Sequence, residues 1–110
     1  MKTELAQDKL VIKLDLLEEL GAIKRELEIP ISSIVDIKPF KEAGVKVKLR
    51  LGGTDLGKIK YGRYTTSKGW AFIATKDVGK ATVLFFKNFD YDLAILDLDE
   101  KTVKELKDRI

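Results

Sequence analysis

The amino-acid sequence predicts a small α+β domain that is mainly β, with a short helix near the N-terminus and a capping helix at the C-terminus. Short β-branched or aromatic segments recur along most of the chain and are bounded by Gly, Pro, Asn and Asp. Helical spacing of apolar residues is confined to two places. A curved antiparallel sheet or partly open barrel, closed by the C-terminal helix, is the natural packing for this order of elements.

Four elements are expected in the first third of the chain, in the order strand, helix, strand, strand. The strands are short β-branched or alternating runs, and Pro30 and Pro39 end two of them. The helix is expected where Leu17 and Leu20 fall at helical spacing. The predicted elements are strand 9–15, helix 16–24, strand 25–29 and strand 34–38.

The strictest alternation of apolar and polar residues is VKVKLRL at positions 45–51. It predicts a strand with its apolar side chains on one face and its basic side chains on the other. The apolar set is Val45, Val47, Leu49 and Leu51, and the basic set is Lys46, Lys48 and Arg50. The GGTD sequence at 52–55 is expected to form a turn or loop.

The second half of the chain predicts further strands and the closing helix. Asp99 is expected to cap a helix over 100–110, with Val103, Leu106 and Ile110 as its apolar stripe. Turns are expected at 76–79 and 88–92. The predicted extended segments are 61–64, 69–75, 80–86 and 91–97.

Composition limits the classes of function that the chain can have. Its 110 residues fit one domain over 1–110 and contain no Cys and no His. Disulfides, thiolate metal sites and the commonest general base are therefore missing, and we expect neither an enzyme nor a cofactor. No apolar run approaches the ~20 residues that span a bilayer, so a cytoplasmic location is expected. Abundant Lys and Glu with few thermolabile residues is typical of thermophiles.

One segment matches the outline of a nucleotide-binding phosphate loop. Residues 52–58 (GGTDLGK) have the G-x-x-x-x-G-K spacing. However, Ile59 occupies the position of the Ser or Thr that binds Mg²⁺, and residues 60–64 favour an extended structure over the required helix. We therefore interpret the segment as a Gly-rich loop.

A second segment, NFDYD at 88–92, has the alternating oxygen ligands of a Ca²⁺ loop. Leu93 stands where that loop needs Gly, and residues 94–98 are too apolar to supply ligands. The segment therefore predicts a hairpin turn, and Asp97, Asp99 and Glu100 are expected to serve the start of the final helix.

Charge is distributed unevenly along the chain. Residues 38–68 contain nine basic and two acidic residues, whereas residues 88–100 contain five acidic residues and no basic one. Two interpretations of the basic segment stay open. Its lysines alternate with valines, as on the solvated face of a strand, and they also lie near Tyr61, Tyr64 and Trp70, as in a surface that binds anions. The candidate anion- or partner-binding residues are Lys46, Lys48, Arg50, Lys58, Lys60 and Arg63.

Several short motifs follow one another along the chain: LLEELGAI (16–23), LEIPISSIV (27–35), Gly53-Thr54, GRY (62–64), Phe72, ATVL (81–84) and DYDL (90–93). Their order resembles a family of small uncharacterised prokaryotic domains with a pleckstrin-homology-like (PH-like) fold. The resemblance covers about residues 9–107 and leaves out the alternation within 43–59, where that family is loop-like and Pro-rich. It implies a bent antiparallel barrel plugged by a C-terminal helix and offers no catalytic residue.

The expected function is that of a non-enzymatic binding or assembly module. Protein–protein interaction, including head-to-tail self-association of the basic and acidic segments, is the first hypothesis. The alternative is binding of an anion, either a phospholipid headgroup or a nucleic acid, by the basic segment 46–63. An enzyme that uses lysines and carboxylates is the third and least favoured hypothesis.

Overall fold

Two β-sheets, two α-helices and two short 3-10 helices are found in the part of the chain that the structure, a computed structural model, describes: residues 2–14 and 25–110. The 3-10 helices span Ile31–Ser33 and Val78–Lys80. The smaller sheet is antiparallel and contains β1 (Lys2–Leu5), β2 (Lys9–Leu14) and β3 (Arg25–Pro30). The larger sheet contains β4 (Ile34–Pro39), β5 (Val47–Leu56), β6 (Ile59–Thr66), β7 (Gly69–Thr75), β8 (Thr82–Phe86) and β9 (Leu93–Leu96). The α-helices are α1 (Phe40–Ala43) and α2 (Glu100–Arg109), and the helix predicted over 16–24 lies outside the described residues.

The six strands of the larger sheet follow the order β4-β8-β9-β7-β6-β5. All neighbours in it are antiparallel except β7 and β9, which run parallel. Strand β9 therefore separates β7 from β8, although β7 and β8 are consecutive along the chain. Its four residues, LAIL, are all buried, as expected of an apolar run in a central strand that is covered on both faces.

Two clusters of buried side chains lie on opposite faces of the larger sheet. The first core joins this sheet to the smaller one and receives Leu106 from α2. The second core includes Ala43 of α1 and Val45, which lies two residues before the start of β5. Tyr61, Phe72 and Leu96 belong to the first core; Tyr64, Ile73 and Ile95 belong to the second. Alternate residues of β6, β7 and β9 thus serve different cores.

The mainly β class and the C-terminal helix are confirmed, whereas the single antiparallel sheet is not. Residues 2–14 and 25–110 form two sheets and no closed barrel. The physical reason lies in β9, because a strand that is apolar on both faces requires a covering layer on each side. The resulting larger sheet is open at β4 and at β5.

The start of α2 agrees with the sequence prediction. The side chain of Asp99 accepts a hydrogen bond from the Thr102 backbone N–H at 2.7 Å, which satisfies one of the free donors of the first turn. Leu106 is fully buried, and Val103 packs against the first core. Ile110 is 47% exposed, so its assignment to the apolar stripe was wrong.

The segment 45–56 differs most from its prediction. Strand β5 begins at Val47 and continues through the GGTD sequence to Leu56, so the turn predicted at 52–55 is wrong. The chain instead turns at Gly57 and Lys58, between β5 and β6. The strand is not regular, because its register against β6 shifts between Val47 and Arg50 and again between Arg50 and Gly52.

Candidate functional site

The candidate site is the hairpin formed by β5 and β6, residues 47–66, which we call the outer hairpin. Strand β5 is the last strand of the larger sheet and pairs with β6 alone. Strand β6 in turn pairs with β7 from Lys60 to Thr66. The turn is held in place at its base, because the Val78 backbone N–H donates to the Lys58 carbonyl at 3.1 Å.

The two strands of the outer hairpin meet most closely at a pair of glycines. Gly53 lies directly opposite Gly62, with φ values of 105° and 138° respectively. A Cβ atom on Gly53 would lie 1.9 Å from the Tyr61 carbonyl oxygen, and one on Gly62 would lie 2.0 Å from the Gly52 carbonyl oxygen. Only glycine fits this close backbone approach. These residues therefore fix the path of both strands toward the turn.

The register shifts change which side chains share a face of the sheet. Val47 pairs with Thr66 and Arg50 pairs with Tyr64, and residues 64 and 66 of β6 point to the same side. Val47 and Arg50 therefore lie on one face, that of the second core, although the alternation had placed them on opposite faces. The prediction of one apolar and one basic face over 45–51 is wrong because each shift inserts an extra residue into β5.

The six candidate cations belong to the outer hairpin or its approach, but they do not form one flat patch. Lys46 precedes β5 and is tied to Ser67, whose backbone N–H donates to the Lys46 carbonyl at 2.8 Å. Lys60 lies opposite Thr75 and on the same side as Tyr64, which is the second-core side. Arg63 lies opposite Phe72, on the first-core side. Exposed Lys48 and Arg50 lie on β5, and exposed Lys58 lies in the turn.

One of the six cations, Lys60, is already engaged within the hairpin. Its Nζ lies 3.0 Å from both carboxylate oxygens of Asp55 and 5.7 Å from the ring centroid of Tyr64. The hydrogen bond from Lys60 lowers the pKa of Asp55. Burial raises the pKa of Tyr64 to about 12, and its hydroxyl donates to the Thr54 carbonyl at 3.1 Å. This cluster stabilises the hairpin and removes Lys60 from the free cations.

The other five cations have no carboxylate within ion-pair distance in the described part of the chain. All five side chains belong to exposed residues. A cation without a partner is fully available to an external anion, whereas Lys60 would first have to leave Asp55. The available set is Lys46, Lys48, Arg50, Lys58 and Arg63.

The structure also reveals exposed apolar side chains, which sequence reasoning did not assign to the site. Leu56 and Ile59 lie directly opposite each other next to the turn and are 68% and 37% exposed. Leu49 and Leu51 are 68% and 43% exposed, and Trp70, opposite Thr65 on β7, is 51% exposed. The signal in the sequence was the Leu-Gly-Lys-Ile tetrapeptide, which places two large apolar residues beside a tight turn. Cations and apolar groups thus alternate around this hairpin.

The aromatic residues near the basic segment do not form a stacking surface. Tyr61 and Tyr64 retain only 3% and 0% of their exposure, since each belongs to a core. Trp70 alone of the three is exposed. Bases of a single strand stack on exposed aromatic faces, so the arrangement offers little to a nucleic acid beyond charge.

The acidic segment 88–100 uses much of its charge inside the protein. Asp92 Oδ2 accepts from the Trp70 backbone N–H, and the Asp92 N–H donates to the Trp70 carbonyl, each at 2.9 Å. Asp97 accepts from the Thr75 hydroxyl and from the Lys76 N–H, and Asp99 caps α2. The prediction that these acids serve the start of the final helix is confirmed for Asp99 and is wrong for Asp97, which bonds to the end of β7.

A shallow cavity of about 490 Å³ lies away from the hairpin, near the start of β4 and the end of α2. Lys87 and Arg109 line it together with Ser32 and Asp8. Arg109 is already bonded, because its Nη1 donates to the carbonyls of Ala6 and Gln7 at 2.7 and 3.2 Å. The cavity therefore offers fewer free groups than the outer hairpin does.

Comparisons of the chain with protein-family models, with curated proteins and with solved structures find no match. Among residues 2–14 and 25–110, no helix is both long enough and apolar enough to cross a bilayer.

Proposed function

We propose that this chain is a non-enzymatic binding or assembly module that contacts its partner through the outer hairpin. The observation that carries the proposal is the combination, in one hairpin and the residue before it, of five unpaired cations with the exposed side chains of Leu49, Leu51, Leu56 and Ile59. Large apolar side chains that cluster at the surface are typical of interaction sites. The flanking cations favour a partner of negative charge.

We further propose, from the sequence resemblance, a single PH-like domain over 1–110 that works in the cytoplasm. The mainly β architecture and the packing of Leu106 against the first core support this proposal. The parallel pairing of β7 with β9 is a departure from a bent antiparallel barrel. Fold alone does not assign a ligand, so the proposed function rests on the hairpin and not on the resemblance.

A protein partner, which can be a second copy of the chain, is the first form of the proposal. Head-to-tail contact between the basic and acidic segments gains little support, because Asp92, Asp97 and Asp99 already accept internal hydrogen bonds. The exposed leucines of β5 supply the stronger argument for association, since their burial removes apolar surface from water.

Light scattering at low and high salt, over a range of protein concentrations, tests self-association. We expect a mass that rises with concentration in the wild type and is reduced in the double variant Leu49→Ser/Leu51→Ser. Val35→Ser is the matched control, because Val35 is also a large exposed residue, at 49%, but lies on β4. A monomer at every concentration in both salts would reject self-association.

Anion binding is the second form, and the five unpaired cations favour it. Counterion release makes such binding fall steeply with salt. Exposed Lys48 and Lys58 are the simplest positions to reverse, since neither side chain makes an ion pair in the described structure. Titration with a polyanion at low salt compares the affinity of the wild type with that of the variant Lys48→Glu/Lys58→Glu. Equal affinities of the two proteins would count against the hairpin as the binding element.

A further inference from the structure

We propose that the partner of the outer hairpin is the surface of an anionic lipid bilayer. Leu56 and Ile59 enter the interfacial region, and the surrounding cations contact the lipid phosphates. This inference rests on the proposed function, because it names the partner of the same hairpin. Four features of the described residues carry it.

The first feature is the apolar end of the hairpin. Leu56 pairs with Ile59, so their side chains lie side by side on one face, with Gly57 and Lys58 between them. Leu56 is 68% exposed, although the turn beside it is anchored by the hydrogen bond from Val78 to Lys58. An ordered turn that presents apolar side chains to solvent loses little conformational entropy when those side chains are buried in a second medium.

The second feature is the placement of cations on both faces of the hairpin. Arg50 shares the face of Tyr64, and Arg63 shares the opposite face with Phe72. Lys58 lies in the turn itself. The charge pattern therefore matches a negatively charged membrane interface, in which basic side chains flank apolar ones.

The third feature is the poor suitability of β5 for strand addition. A partner strand requires a regular row of free N–H and C=O groups along the sheet edge. Two register shifts interrupt that row, before and after Arg50. The unusual backbone of Gly53 distorts the row again. Together with exposed Lys48, these irregularities protect the edge against pairing.

The fourth feature concerns nucleic acids, which share the negative charge of lipid phosphates. Tyr61 and Tyr64 lie in the two cores and cannot stack on bases. The apolar pair Leu56–Ile59 has no role in contacting a sugar-phosphate backbone. Both observations favour an occupant that combines phosphate groups with an apolar interior.

Vesicle sedimentation tests the proposal directly. Vesicles of phosphatidylcholine alone are compared with vesicles that also contain phosphatidylglycerol, at low and at high salt. We expect the full chain to bind the anionic vesicles and to bind more weakly as salt increases. Substitution Leu56→Ser/Ile59→Ser should weaken binding by about tenfold or more, because the binding strength scales with the apolar area buried.

Matched variants separate apolar insertion from general changes of charge or stability. Val35→Ser removes an exposed apolar side chain elsewhere, and Lys101→Glu/Lys104→Glu on α2 changes the net charge as much as Lys48→Glu/Lys58→Glu does. Only the two hairpin variants should lose binding, and all four should keep the circular dichroism spectrum of the wild type. Equal losses in the charge-matched pair would overturn the assignment to the hairpin.

A fluorescence measurement keeps the test decisive if a serine variant is unstable. The chain has no cysteine, so Leu56→Cys can carry a single environment-sensitive dye, with Val35→Cys as the control. The dye at position 56 should shift to the blue with anionic vesicles, and the dye at position 35 should not. Absence of the shift overturns membrane insertion. If the outer hairpin still mediated self-association or polyanion binding, the broader proposed function would stand while this inference failed.

Discussion

Gly53 and Gly62 face each other across the outer hairpin with positive φ values of 105° and 138°. Neither position has room for a Cβ atom, because the carbonyl oxygen of the opposing strand lies about where that atom would be. Gly52, the next residue along, has nothing within 4 Å of the corresponding position. Two adjacent glycines of one strand therefore differ sharply in their tolerance of a side chain.

Substitution Gly62→Ala should destabilise the protein by more than about 2 kcal/mol, because it adds a backbone clash to an unfavourable φ. Substitution Gly52→Ala should change the free energy of unfolding by less than about 0.5 kcal/mol. Urea denaturation of the two variants and the wild type measures both effects. Similar stabilities of the two variants would contradict the close approach of the strands.

Stability should fall as the pH rises above the ordinary pKa of tyrosine. Burial raises the pKa of Tyr64 to about 12 from 10.0, so between these values the unfolded state has lost its proton while the folded state still holds it. Protonated Tyr64 therefore makes its full contribution to the free energy of unfolding below pH 10. That contribution is progressively lost as the pH rises from 10 to 12. Urea denaturation at a series of alkaline pH values measures this slope.

The variant Tyr64→Phe separates ionisation of this side chain from other alkaline effects. At neutral pH it should be less stable by about 1 kcal/mol, since it loses the hydrogen bond to the Thr54 carbonyl. Its alkaline slope should be shallower than that of the wild type, with a remainder from Tyr61, whose pKa burial also raises. Identical slopes in the two proteins would show that Tyr64 is not the group that titrates.

Substitution Asp99→Ala should destabilise the protein by about 1 kcal/mol, because the Thr102 N–H loses its side-chain acceptor at the start of α2. Asp99→Asn should be close to the wild type, since asparagine is an equally good capping residue. Thermal denaturation followed by circular dichroism distinguishes the three proteins. Equal destabilisation by alanine and asparagine would show that the negative charge, not the cap, is what matters.

Substitution Ile95→Ala should cost about 2–5 kcal/mol, because Ile95 is fully buried in the second core and the truncated side chain leaves a cavity. Val35→Ala on β4 removes two methyl groups from an exposed side chain and should cost less than about 1 kcal/mol. Chemical denaturation compares them. A small effect at Ile95 would contradict the central position of β9.

The parts of the fold that depend on local sequence were predictable. Asp99 precedes a run of helix-forming residues and offers the oxygen that a helix start requires, so the position of α2 followed from the sequence. The strands around Phe72 and Leu84 followed from their β-branched and aromatic content and from the turns between them. These features need only neighbouring residues to be specified.

The parts that depend on pairing between distant strands were not predictable. The alternation around Lys48 is regular in sequence, and the shifts that break it arise from how β5 is paired with β6. The anion-binding hypothesis needs Tyr64 at the surface beside the basic residues, but its pairing with Ala71 places it in the second core. Leu56 and Ile59 lie at the end of the hairpin because the chain turns at Gly57 and Lys58, whereas the sequence predicted the turn at 52–55. The sequence therefore did not reveal that most of the candidate cations belong to one hairpin, nor that they are divided between its two faces.

The insertion of β9 between β7 and β8 also constrains the order in which the sheet can assemble. Strand β9 alone joins the ladder β5-β6-β7 to the pair formed by β4 and β8. Until those four residues are in place, the two halves share no backbone hydrogen bonds within the larger sheet. The parallel contact with β7 closes the loop between Thr75 and Leu93, and the pairing of Pro39 with Thr82 closes a longer one, so both contacts are entropically costly to form. The assembly of the larger sheet therefore depends on the docking of this short segment, which couples both halves.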